Sequence, residues 1–162
     1  MLVIRKATEG DVPAITEIYN YAVLNTVATF DLEPKSIEDR RKWFHEHDKA
    51  LPILVAVEGE IVVGWSAMSE WSEKKAYRIS AEISLYVKPG REGEGIGKAL
   101  TDALLAAGSE SGIRTIIARI VGGNEVSSHI LETRGFRYIG VMLEVGKKFG
   151  RLLDVHLYQK TL

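Results

Sequence analysis

Cysteine is absent from the 162 residues. Its absence excludes disulfides, a thiol nucleophile, iron–sulfur clusters and cysteine zinc sites, and it suits a cytoplasmic protein. An excess of charge of one sign is also missing. The 21 Lys and Arg against 22 Asp and Glu leave a formal net charge of −1, with no basic run. No nucleic-acid partner is expected, since phosphate binding needs a basic face. Long apolar runs are missing too: nothing approaches the roughly 20 residues that cross a bilayer. Met1-Leu2-Val3-Ile4 meets Arg5 and Lys6 at once, too short for a signal peptide. No membrane partner is expected. What remains is an ordinary globular composition, 46% apolar and 27% charged. Its length suits a single domain over residues 1–162 with a core of its own.

The densest signal lies between Glu82 and Leu100. An apolar strand through Val87 enters a turn holding Gly93, Gly95 and Gly97, and a long helix begins there. Glycine lets backbone approach a ligand, and the first turn of a helix offers unpaired N–H groups with partial positive charge. The stretch reads as a cradle for an anion such as a pyrophosphate. A Walker A loop is excluded, because Glu92 and Ala99 stand where it needs Gly and Ser or Thr. A Rossmann fingerprint fits poorly, because the glycines run G-x-G-x-G and lie far from an opening βαβ unit.

Along the chain, Leu2 to Ala7 reads as a strand. Asp11 and Pro13 open a helix ending near Leu24, and Ser36 with Asp39 caps a second one from Ile37 to His47, whose buried side is expected from Trp43 and Phe44. His45 and His47 diverge on that helix and find no third ligand, so no metal site is expected. Leu54–Val57 and Ile61–Ala67 form a hairpin across Glu58-Gly59-Glu60. A polar and aromatic loop, Ser69 to Tyr77, precedes the strand ending at Val87. After the glycine turn and its helix come a strand from Arg114 to Val121 and a helix from about Val126 to Arg134. Two last strands, Phe136–Leu143 and Leu152–Lys160, are joined by a basic loop from Gly146 to Arg151. The order β-α-α-β-β-β-α-β-α-β-β predicts an α/β (α+β) fold, a mixed sheet of about seven strands flanked by about four helices.

That order resembles the GNAT N-acetyltransferase fold, and Gly95-Ile96-Gly97 resembles the second half of its acyl-coenzyme A loop, Gln/Arg-x-x-Gly-x-Gly/Ala. Glu92 stands at the Gln/Arg place, with Arg91 one residue early. Either Glu92 turns away, or the loop shifts to let Arg91 serve. Further islands resemble one branch, the phosphinothricin and methionine sulfoximine acetyltransferases. They are Ile4-Arg5-x-Ala7-x-x-x-Asp11, Ile18-Tyr19-Asn20, Arg40-x-x-Trp43-Phe44, Ala81 to Val87, and Lys148 to Val155.

The resemblance implies acetyl-coenzyme A as donor, a primary amine as acceptor, direct attack on the thioester, and no metal. Glu82 matches the branch's catalytic glutamate, a base for the acceptor's ammonium group. Cofactor contacts are implied for Leu85, Tyr86 and Val87, for the main chain of Gly93, Glu94, Gly95, Ile96, Gly97 and Lys98, and for Asn124. Coenzyme A is expected in a gap between the strand of Glu82 and the strand from Arg114. Phe30, Tyr77 and Arg78 are implied at the acceptor. Lys148, Phe149 and Arg151 resemble a loop that reaches the site from a neighbouring subunit, which implies a homodimer. Leu131 occupies the place where the superfamily often has Tyr and this branch often His, leaving water, His129 or Tyr86 as proton donor. Leu152 or Leu153 replaces the branch's usual Trp. Alternative acceptors are protein N-termini or polyamines, and the alternative from another class is a non-catalytic acyl-coenzyme A sensor.

Overall fold

A computed structural model describes all 162 residues, Met1–Leu162. The strands are β1 (Leu2–Lys6), β2 (Ile53–Glu58), β3 (Ile61–Glu70), β4 (Ser80–Val87), β5 (Thr115–Val121), β6 (Arg137–Lys148) and β7 (Arg151–Thr161). The helices are α1 (Val12–Asn25), α2 (Ile37–Glu46), α3 (Ile96–Glu110) and α4 (Glu125–Glu132), with short 3-10 turns at Glu9–Asp11 and Lys75–Ile79. The mixed seven-stranded sheet runs β1-β2-β3-β4-β5-β7-β6. All neighbours are antiparallel except β4 and β5. No helix is long and apolar enough to cross a membrane.

Two apolar layers hold the sheet between its helices. On one face Ile15, Ile18, Tyr19 and Val23 of α1 pack on Val55, Val57 and Trp65. On the other, Ile96, Leu100 and Leu104 of α3 and Leu131 of α4 pack on Ala56, Val63, Ile116 and Ala118. Burying each large aliphatic side chain contributes about 1.5–3 kcal/mol, which explains why β2, apolar on both faces, lies inside the sheet. Asp11 ties β1 to α1. Its carboxylate accepts from the Arg5 guanidinium at 2.7 and 2.9 Å and from the Thr8 N–H at 2.7 Å.

In α2, Trp43 and Phe44 are half-buried and pack against the core as expected, and Arg40 is buried more deeply than either. Its guanidinium carbon lies 3.9 Å from the Trp43 ring centre, 4.8 Å from Tyr19 and 5.2 Å from Trp65. Aromatic faces attract a cation, so this charge tolerates a place that a sequence pattern assigns to surface. One expectation needs correction: the basic loop from Gly146 to Arg151 is not a loop. β6 continues to Lys148, and Lys148 pairs with Arg151 across Phe149 and Gly150, both at positive φ (52° and 73°). That is the geometry of a tight two-residue hairpin.

The feature that makes a site is a split in the sheet. β4 pairs with β5 only through Ser80↔Thr115, Ala81↔Ile116 and Glu82↔Ile117. Beyond Glu82 the strands part, while β3 and β7 still hold their outer edges. Peptide groups of Ile83–Val87 that face β5 therefore have no ladder partner.

Candidate active site

A cleft of about 530 Å³ fills the split. Its walls are Glu82 to Tyr86 of β4, Ala118 to Val121 of β5, Ile130 and Leu131 of α4, and Val27 to Phe30 from the segment between α1 and α2. Glu82, Leu85, Tyr86, Asn124 and Phe30 thus meet in one cavity. Burial raises the pKa of Tyr86, which keeps its phenol protonated. Leu131 also lines the cleft, whereas His129 is exposed on α4 and does not.

The segment carrying Phe30 is held from three sides. The Tyr19 hydroxyl bonds Asp31 and lies 3.0 Å from the Thr29 hydroxyl. Asn20 exchanges both amide bonds with the Lys35 backbone, at 2.7 and 2.8 Å. Lys148, 3% exposed, donates from Nζ to the Thr29 carbonyl at 2.8 Å. The Lys148 ammonium is therefore engaged by its own chain, and burial lowers its pKa. The ring of Phe30 lies against Gly146 so closely that a Cβ there would sit 2.3 Å from its Cε2.

The glycine turn lies beyond the apolar cleft. Gly93 and Gly95 have φ of 81° and 83°, and a Cβ on either would meet nothing within 4 Å. Open space thus lies in front of the first turn of α3, whose N-cap is Gly95. Ile96 is buried, so only its main chain faces that space, while Lys98 is exposed. Glu92 turns back into its own loop, where its carboxylate accepts from the Gly90 N–H at 2.8 Å. Arg91 does not take its place. Bonds to Glu94 and Glu58 hold its guanidinium and raise its pKa. Free helix-start amides, an uncovered strand edge and an apolar cleft fit the pyrophosphate and pantetheine of coenzyme A. Asn124 caps α4 by accepting from the Ser127 N–H at 3.2 Å, and it also lines the cleft.

Other expected residues lie outside the cleft. Tyr77 and Arg78 sit exposed in the 3-10 turn before β4, and Phe149 and Arg151 are exposed at the hairpin tip. Val87 is at the end of β4, beyond the lining. Among the lining residues not foreseen as site residues, two carry polar side chains that bond at the cleft, Tyr19 and Arg119. Tyr19 was visible within Ile18-Tyr19-Asn20, and its alignment with the cleft follows from where α1 packs. Arg119 of β5 had no local signal, yet it pairs with Glu82 through both carboxylate oxygens, which raises the Arg119 pKa. His45 pairs with Glu9 at 3.1 Å, and His47 packs on Trp43.

Comparison with known proteins agrees with this geometry. Residues 4–157 match the acetyltransferase (GNAT) domain family. The chain is 36% identical to a phosphinothricin N-acetyltransferase of Streptomyces coelicolor, over 98% of this chain and 95% of that one. It is 33% identical to the L-methionine sulfoximine/L-methionine sulfone acetyltransferase of Salmonella typhimurium, over 99% and 95%. The crystal structure of a phosphinothricin acetyltransferase from Sinorhizobium meliloti in complex with acetyl-coenzyme A superposes with a TM-score of 0.96 at 35% identity, covering 99% and 88%. A split mixed sheet, a glycine turn opening α3 and similarity over nearly the full length lead to one conclusion: the chain belongs to the GNAT acetyltransferase family.

Proposed function

We propose that this enzyme transfers an acetyl group from acetyl-coenzyme A to the primary amine of a small amino acid or analogue of the phosphinothricin or methionine sulfoximine kind, with Glu82 as the base. The observation that carries the reading is the position of Glu82 at the last paired rung between β4 and β5, where the cleft begins. A carboxylate there shares the cleft with the uncovered strand edge and the segment of Phe30. Acetyl-coenzyme A supplies an acetyl thioester to this cleft. The N–H groups of Gly95 to Lys98 bind phosphate, and the free peptide edge of β4 pairs with pantetheine and stabilises negative charge on the acyl oxygen. Asn124 adds an amide donor. Glu82 removes a proton from the acceptor's ammonium, directly or through water. The freed nitrogen bonds to the acyl carbon, the C–S bond breaks, and the departing coenzyme A thiolate takes a proton from water or from Tyr86. Phe30 walls the acceptor side. Tyr77, Arg78, Phe149 and Arg151 stay acceptor contacts by resemblance alone, from outside the cleft walls, and Lys148 acts by holding Thr29.

A homodimer is part of this reading. Edge strand β6 exposes Tyr138, Ile139, Val141, Leu143 and Val145, an apolar stripe of the kind that a second copy covers. The cysteine-free composition suits work in the cytoplasm.

The test is thiol release from acetyl-coenzyme A with methionine sulfoximine, phosphinothricin, methionine sulfone, polyamines and an N-terminal peptide as acceptors. Turnover concentrated on the amino-acid analogues supports the reading. Turnover confined to polyamines or the peptide overturns it.

A further inference from the structure

The carboxylate of Glu82 is not free in the cleft. Arg119 takes both of its oxygens, Nη2 donating to Oε1 at 2.6 Å and Nε donating to Oε2. The pair spans the mouth of the split, because Arg119 stands two residues past Ile117, the last rung partner of Glu82, and so on the same face of the sheet. Exposure is unequal: the Glu82 side chain is 17% exposed and that of Arg119 52%. The Trp71 ring lies 5.7 Å from the guanidinium carbon and limits its freedom. A guanidinium fork has more donors than one carboxylate uses, and Nη1 makes no bond within the chain. Of the side chains lining the cleft, Arg119 is the one cation. Arg78 stands outside, and the Lys148 ammonium is engaged by Thr29.

We propose that Arg119 is the receptor for the acceptor's acidic group and that its guanidinium is shared between that group and Glu82. The inference rests on the reading of the chain as an amino-acid N-acetyltransferase with Glu82 as base. In an amino acid the carboxylate and the ammonium are attached to the same carbon. A carboxylate held on the exposed Nη1 edge of Arg119 therefore brings the ammonium close to Glu82, which lies on the other edge of the same fork. Arrival of a second anion divides the attraction of the guanidinium between two carboxylates. The proton passes from the acceptor nitrogen to a Glu82 oxygen, and the freed lone pair remains on nitrogen for the attack. An amine without an acidic group does not dock on Arg119. Specificity then depends on one residue, which makes Arg119 a specificity-determining and positioning residue.

The experiment compares methionine sulfone with its carboxamide, which keeps the amine and lacks the carboxylate, in wild type, Arg119→Gln and Arg119→Lys. Far-UV circular dichroism and acetyl-coenzyme A affinity establish that the variants are folded. Wild type should favour the acid over the carboxamide in kcat/KM by about tenfold or more, the scale of one charge-assisted contact. In Arg119→Gln the ratio should fall towards one, chiefly through a raised KM for the acid, and Arg119→Lys should restore part of it. A merely structural role would lower both acceptors alike, and an unchanged ratio in Arg119→Gln overturns the inference while leaving the proposed activity intact. Calorimetric binding of N-acetylmethionine sulfone reads Arg119 without turnover. If no amine turns over but this ligand binds wild type about tenfold tighter than Arg119→Gln, the receptor role stands and the proposed activity fails. Equal affinities with no turnover overturn both.

Discussion

The ammonium of Lys148 donates to the carbonyl of Thr29 at 2.8 Å, joining the tip of the β6–β7 hairpin to the segment that walls the cleft. The two residues are 119 positions apart in sequence. Their contact makes the shape of the acceptor side depend on the C-terminal hairpin. Lys148→Met should cost about 1–3 kcal/mol, the range for a buried bond to a charged group. Denaturant unfolding measures that loss. Amide exchange should quicken in residues 26–35, and acceptor KM should rise with little change in acetyl-coenzyme A affinity. Unchanged exchange in that segment would contradict the role given to Lys148.

Gly95 carries a different demand. Its φ of 83° suits glycine, and it is the N-cap of α3. Gly95→Ala should strain the turn by roughly 1–2 kcal/mol and tilt the first amides of α3 away from their shared focus. The KM for acetyl-coenzyme A should rise at least severalfold while the acceptor KM stays near wild type. A rise in acceptor KM alone would contradict the assignment of this turn to the phosphates.

Asp11 sets a limit at low pH. The Arg5 guanidinium beside it, with the Thr8 bonds, holds its carboxyl below the ordinary value of 3.8 against the opposing effect of burial. A carboxyl with a lower pKa folded than unfolded stabilises fully above the unfolded value, and that stability drains away as pH falls through the folded one. Wild type should therefore lose stability as pH drops below about 4. Asp11→Asn should begin less stable at pH 7 and show a shallower decline over the same window. Thermal unfolding between pH 2 and 7, run on both proteins, gives the comparison.

Most of the architecture was legible from local chemistry. The Ser36 cap, Pro13, the apolar runs of β2 and β3 and the glycines before α3 each declare a boundary through backbone geometry, and the seven strands and four helices follow. Glu82 and the glycine turn stand out in the sequence because resemblance and chemistry meet there. What was not legible depends on tertiary register. Arg119 pairs with Glu82 across parallel strands whose alignment no local rule sets. Arg40 reads as a surface charge until three aromatic rings surround it. The hairpin at Phe149 and Gly150 reads as a loop in the sequence because Lys147, Lys148 and Arg151 suggest solvent. Lys148 instead turns inward to a carbonyl on the opposite side of the cleft. Glu92 shows the same limit, since its carboxylate meets the Gly90 amide in its own turn rather than a ligand.

The most direct test of the account is single-turnover acetyl transfer to methionine sulfoximine in wild type and Glu82→Gln, with acetyl-coenzyme A affinity measured on both. Glutamine keeps the shape and a hydrogen bond to Arg119 but cannot take the proton. The account predicts a fall in rate of about 10²–10⁴, the usual contribution of a positioned base, with acetyl-coenzyme A affinity unchanged. A Glu82→Gln enzyme that transfers acetyl at the wild-type rate would contradict it.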